Sequence, residues 1–241
     1  MIRHYLAQLY VALGILTRLP TGEAEEPVRG GNGPLGLVLA GGTIGLGAAL
    51  AGWLCRWLAG PIAGALLGGL LIPAGLWWLT RARGLRALLA VAQAGREASG
   101  RMDEFFFRFA GLQALLLVKL LCVGLLIGSG AAPWLFIAWL VTGAVFADER
   151  NASVDPRQGQ AADRSVHWGA AAVGGVLGGG LMGQFVGALL VVVVAWLAVP
   201  GARRWLAGHV ELRGSAFAWL FAEATEAVIL LLATLVVFAR Y

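Results

Sequence analysis

Apolar residues run along this chain in blocks rather than in alternation. Long stretches almost free of charge occupy about residues 34–55, 57–79, 106–128, 131–147 and 216–238. Each is close to the roughly 20 apolar residues that carry a helix across about 30 Å of hydrocarbon. Strict period-two alternation is missing, so the pattern predicts membrane helices and not the strands of a barrel. Composition agrees: 59% of the 241 residues are hydrophobic, 13% are charged, and the mean hydropathy is +0.80. One water-soluble core of this size does not hide that much apolar surface. The expected fold class is an all-α integral membrane protein of about seven transmembrane helices, with an N-terminal interfacial helix.

The block from 169 to 199 is too long for one crossing, because its length at 1.5 Å per residue comes to about 46 Å. Glycines at 175, 179, 183 and 187 recur every four residues, a ridge suited to one long close-packed helix. Length and charge favour a hairpin. With seven spans, one side receives Arg3, Arg18, Arg29, Arg81, Arg83, Arg86, Arg96, Arg101, Arg150, Arg157, Arg164, Arg203, Arg204 and Arg213, and the other keeps mainly Arg56 and Arg240. That asymmetry follows the positive-inside rule and predicts a multi-pass protein of the cell (inner) membrane, with loops 80–105 and 148–167 in the cytoplasm. The net charge of +5 then reads as topology and as contact with the anionic lipid bilayer, not as nucleic-acid binding.

At the N-terminus Arg3 and His4 precede the apolar run Tyr5 to Leu16. No small-residue cleavage site follows, so a helix at the interface is expected in place of an export signal. Residues 21–33, with Glu23, Glu25 and Glu26, read as an exposed connector. The chain is thus one polytopic membrane domain, 1–241: an interfacial helix and connector over 1–33, and a helical bundle over 34–241.

Ionisable groups inside such a frame carry the most information, since one at a span centre costs about 2.5 to 3.5 kcal/mol on insertion scales. Lys119, set among leucines and valine, is the sole lysine of the 18 basic residues. It either faces a polar cavity and holds a phosphate or carboxylate, or closes a structural ion pair or snorkels. Glu223 and Glu226 lie three apart near the start of the last span, on one helix face. They could bind a divalent cation, or pair with Lys119 and nearby arginines; a local pairing with Arg213 is the plainer alternative. Asp148, Glu149, Arg150 and Asp155, and likewise Glu97, Asp103 and Glu104 among the arginines of 81–108, read as solvated loop charges. Cys55 and Cys122 suit packing and suggest no disulfide framework. His4, His167 and His209 are too scattered for a zinc site, and neither H-E-x-x-H nor a P-loop is present.

Gly14-Ile15-Leu16-Thr17-Arg18-Leu19-Pro20 resembles the opening of the cobalamin synthase family, the adenosylcobinamide-GDP ribazoletransferases, whose first helix ends F-L-T-R-L-P. Two glycine-rich spans, an arginine-rich loop and a span with a lone lysine follow in the same order. The run Ala218 to Glu226 is similar to the family's G-A-x-x-x-E-x-x-E. The resemblance implies a magnesium-dependent transfer late in cobalamin biosynthesis, in which adenosylcobinamide-GDP and alpha-ribazole (5'-phosphate) give adenosylcobalamin (5'-phosphate) and GMP. It makes Lys119 the candidate catalytic cation, Arg18 and Lys119 the candidate substrate contacts, and Glu104, Glu223 and Glu226 the candidate Mg2+ ligands. The family's H-x-D-G-x-A-D-x-x-D-G falls at 85–95, where Leu85 replaces the histidine and Ala87, Val91 and Ala94 replace the aspartates. In M-[KR]-D-S, Glu104 takes the aspartate position, and Gly214-Ser215-Ala216 replaces T-G-D. The alternative is therefore a catalytically silent paralogue: a membrane subunit, a binder of corrinoid or nucleotide, or a homo- or hetero-oligomeric partner of a genuine synthase. A small transporter is a third class, though no convincing internal repeat supports it.

Overall fold

The structure is a computed structural model that describes residues 2–18, 33–99, 102–154, 160–181, 183–209 and 215–239. Some side chains at helix ends, those of 102–108 among them, lie outside the description. Every regular element among the described residues is helical: α1 (Ile2–Leu16), α2 (Gly33–Leu79), α3 (Arg83–Ser99), α4 (Met102–Gly128), α5 (Pro133–Val154), α6 (Gln160–Leu181), α7 (Phe185–His209) and α8 (Ser215–Phe238). Among them α2, α4, α7 and α8 are long and apolar enough to cross a membrane. The expected connector 21–33 falls almost wholly outside the described residues.

At 47 residues, a straight α2 would extend about 70 Å, more than twice the hydrocarbon thickness. It is not straight. Gly60 takes φ +79° and ψ 179°, a conformation open to glycine and strained for other residues, and Pro61 has no N–H to continue the ladder. The chain doubles back there, so that a Cβ on Gly64 would stand 2.6 Å from the Arg56 Cα. Gly52 before the turn and Gly68 after it both face Ile127 of α4. The two blocks expected at 34–55 and 57–79 are these two arms, with the break a few residues later than the pattern suggested because the glycine–proline pair sets it.

Small residues let the helices approach closely, the usual packing device where lipid supplies no hydrophobic drive between helices. A Cβ on Gly41 would lie 2.4 Å from the Trp139 carbonyl oxygen, and one on Gly143 would lie 2.5 Å from that of Leu37. The first arm of α2 therefore rests directly on the α5 backbone. The second arm meets α4 through Gly69 and Gly124. α5 is enclosed on several sides, with Trp134, Ile137, Val141, Ala144 and Val145 all inaccessible.

The block 169–199 divides between α6 and α7 at a turn where Gly183 has φ +63°. The four glycines do not form one ridge: Gly175 and Gly179 face α7, Gly183 lies in the turn, and Gly187 packs against Val236 of α8. Segment 80–105 is mostly helical rather than a loop. Arg81 and Ala82 (φ +58° and +50°) turn the chain into the amphipathic α3, which packs on α4 and α8. Segment 148–167 is likewise shorter as a connection, since α5 runs to Val154 and α6 begins at Gln160. The turns at Gly60, Ser129–Ala132 and Gly183 gather at one end of the bundle, beside Arg56. The opposite end carries Arg18, Arg81, Arg83, Arg86, Arg203 and Arg204.

Candidate functional site: a buried lysine between two glutamates beneath an arginine-lined cavity

Lys119 lies on α4 and is 1% exposed. Its Nζ donates to Glu223 Oε1 at 2.6 Å and to Glu226 Oε2 at 2.9 Å. The three-residue spacing on α8 puts both carboxylates on the face turned to α4. Trp77, near the end of α2, donates its indole N–H to Glu223 Oε1 at 3.2 Å, and its ring lies 5.9 Å from the ammonium. The Trp139 indole of α5 stands beside Glu226 at the margin of hydrogen-bonding range. Gly84, in the first turn of α3, abuts the other Glu223 oxygen so closely that a Cβ would come within 2.4 Å of Oε2. Five helices thus meet at three charges.

Such a cluster is held because each charge, once out of water, has lost its hydration and has only these partners. Of the three alternatives for Glu223 and Glu226, the geometry realises the pairing with Lys119. The ammonium stands between the carboxylates where a shared cation would have to sit, so this donor set does not fit Mg2+ while the pair is closed. Among the described residues no group of three or more His, Cys, Asp or Glu side chains converges as a metal site. Glu104 is also on α4, but the helical rise puts its backbone about 22 Å along the axis from Lys119, and its side chain lies outside the described residues.

Arg18 is placed at the arginine end. Its backbone N–H donates to Leu79 O at 2.9 Å, and its guanidinium lies 5.3 Å from the Trp78 ring centroid. Nearby, Arg83 donates to the Ile15 carbonyl, joining α3 to the end of α1. Asp155 and Arg213 fall outside the described residues.

Two features escaped sequence reasoning. Asp148 accepts from the Trp168 indole at 2.9 Å and is bonded to His167 Nε2 at 2.7 Å, while neighbouring Glu149 accepts from Arg203 Nε at 2.5 Å. These acids are not solvated loop charges, because α5 continues past them and buries Glu149. His167 is wholly inaccessible and its Nδ1 has no partner. The second feature is a cavity of about 540 Å³ between α3 and α8, lined by Arg83, Arg86, Ala87, Ala90, Ala216 and Trp219. The Arg83 guanidinium lies 5.7 Å from the Trp219 ring centroid, whose other neighbour is the Phe146 ring, edge-on at 4.5 Å. Burial first, and then the adjacent charges of Arg81 and Arg86, push the Arg83 pKa below the ordinary guanidinium value. On α8 the residues Ala216, Trp219, Glu223 and Glu226 follow one helical stripe. The cavity therefore shares a face of α8 with the charged cluster and lies toward the helix N-terminus.

Comparison with family models, with curated proteins and with solved structures finds no match for this chain.

Proposed function

We propose that this chain serves the cobalamin synthase reaction as a membrane-embedded subunit that binds the phosphorylated corrinoid or nucleotide, with its own transfer site silenced. The observation that carries the reading is the closed ion pair: Lys119 engages both Glu223 and Glu226. Phosphoryl transfer depends on positioning and on neutralising the developing charge, with Mg2+ usually held through one or two carboxylates. Here those carboxylates are committed to an internal cation, and alanines and valine stand where the resembling family has aspartates. In this reading the chain crosses the cell inner membrane seven times, through the two arms of α2 and through α4 to α8. The arginine-rich end then faces the cytoplasm, as the positive-inside rule requires.

An active transferase is the second reading. It is favoured by the arginine-lined cavity on the face of α8 that carries Glu223, where a phosphate would meet both cations, with a carboxylate one helical turn further along. Full-length protein in lipid nanodiscs, given adenosylcobinamide-GDP, alpha-ribazole 5'-phosphate and Mg2+, separates the two. The proposal expects the corrinoid to co-elute with the protein while GMP release stays at the level of empty nanodiscs. GMP release that disappears in Glu223→Gln establishes the active enzyme. Failure to retain any corrinoid removes both readings.

A further inference from the structure

We infer that the cavity between α3 and α8 is a phosphate-group site, in which Arg83 and Arg86 are the anion ligands and Trp219 lies against Arg83. The site is defined by its own side chains and does not require a corrinoid, so it stands or falls separately from the transferase resemblance.

The case begins with charge. Two guanidinium groups line one cavity, Arg81 adds a third positive charge to Arg83, and among the described residues no carboxylate is paired with Arg83 or Arg86. Two other cations are paired with acids: Arg203 has Glu149, and Lys119 has two glutamates. Like charges held together without an acid favour an anion from outside. Guanidinium N–H forks match phosphate oxygens bidentately, which lysine does not do. These two side chains donate to backbone carbonyls, Arg83 to Ile15 and Arg86 to Arg81, which anchors the arginines while leaving further N–H groups for a ligand.

Geometry supplies the second argument. Arg83 opens α3, whose dipole adds positive potential at the same place. Trp219 lies 8% exposed beside the Arg83 guanidinium, and together with the bond to Ile15 it places that guanidinium before a ligand arrives. Ala87, Ala90 and Ala216 leave room along the walls. The space of about 540 Å³ accepts a phosphate or diphosphate with part of what it is attached to. Gly84, the residue after Arg83, rests against the second oxygen of Glu223. An anion displaced toward that carboxylate would be repelled, so the phosphate is held at the arginine level.

A phosphate group here could belong to a soluble nucleotide or to an anionic lipid headgroup, and the same variants test both sources. Full-length protein in phosphatidylcholine nanodiscs is titrated calorimetrically with pyrophosphate and with GDP. In parallel, protein purified from membranes doped with phosphatidylglycerol is analysed by native mass spectrometry for retained lipid. Loss of a charged bidentate contact weakens binding about tenfold or more, so Arg86→Gln and Arg83→Gln/Arg86→Gln should lower affinity by at least that factor. Arg204→Gln, an exposed arginine away from the cavity, should leave it unchanged. Because Arg83 also ties α3 to α1, Ala90→Phe is the independent check: it narrows the cavity, leaves both arginines in place, and should also weaken binding. Loss of pyrophosphate or GDP binding in these variants identifies a soluble phosphate, and loss of retained lipid identifies a headgroup. If neither ligand binds the wild type, or if binding survives both Arg86→Gln and Ala90→Phe, the assignment is overturned.

Discussion

At the arginine end of the bundle α8 meets α4 through three charges, whereas along the seam of α2 and α5 the helices meet through missing side chains. Both contacts are close and buried, yet they resist change differently. The Lys119 cluster derives its strength from mutual compensation, so removing one member leaves the others stranded in a medium that cannot solvate them. The Gly41–Gly143 seam owes its closeness to the absence of Cβ atoms, so adding one carbon forces two backbones apart. One region tolerates a concerted change and punishes a single one; the other punishes any addition.

The largest effect expected from this contrast is Lys119→Met, which should destabilise by about 3–5 kcal/mol, the range for breaking a buried ion pair from one side. The sharper test is the neutral triple variant Lys119→Met/Glu223→Gln/Glu226→Gln, which should regain most of that loss in reversible denaturation from mild detergent. If the triple variant is as unstable as the single one, compensation is not what holds the cluster. At the seam, Gly41→Ala should cost about 1–3 kcal/mol as overpacking. Gly47→Ala, which would meet nothing within 4 Å, should fall within about 0.5 kcal/mol of wild type or gain slightly from helix propensity. Equal losses at Gly41 and Gly47 would dissolve the contrast.

Gly84→Ala probes the place where the two kinds of packing meet, since its new methyl displaces a Glu223 oxygen. A loss of about 1–2 kcal/mol is expected, with a coupling to Glu223→Gln of at least about 0.5 kcal/mol in a double-mutant cycle. A smaller loss than at Gly84 is expected of Arg56→Gln, which removes donors to the Ile127 and Gly128 carbonyls at the end of α4. Helix C-terminal cations of this kind contribute about 0.3–1 kcal/mol, and up to about 2 when partly buried. A shift in thermal midpoint measured beside Gly84→Ala ranks the two.

Much of the frame was legible because hydrocarbon imposes one length scale: the apolar blocks at 106–128 and 216–238 became α4 and α8 almost unchanged. The i, i+3 spacing of Glu223 and Glu226 and the isolation of Lys119 likewise made their pairing readable as one of three outcomes. What stayed hidden depended on folding geometry. α3 looked like a loop because its arginines lower the mean hydropathy of 80–105, although its apolar residues still face α4 and α8. Asp148 and His167 are 19 residues apart and meet only because α5 and α6 fold back on each other. Arg83 and Arg86 were counted as topology signals, and nothing in their spacing announced the alanine-walled space that Trp219 completes from 133 positions later.

The glycine–proline turn in α2 has a consequence for biogenesis. It brings two apolar arms together with Arg56 near the tip, and a charge left unpaired in hydrocarbon costs about 2.5 to 3.5 kcal/mol. The carbonyls that receive that arginine belong to residues 71 and 72 positions further on. Those bonds exist only with α4 in place, so the hairpin of α2 is completed by a helix made after it.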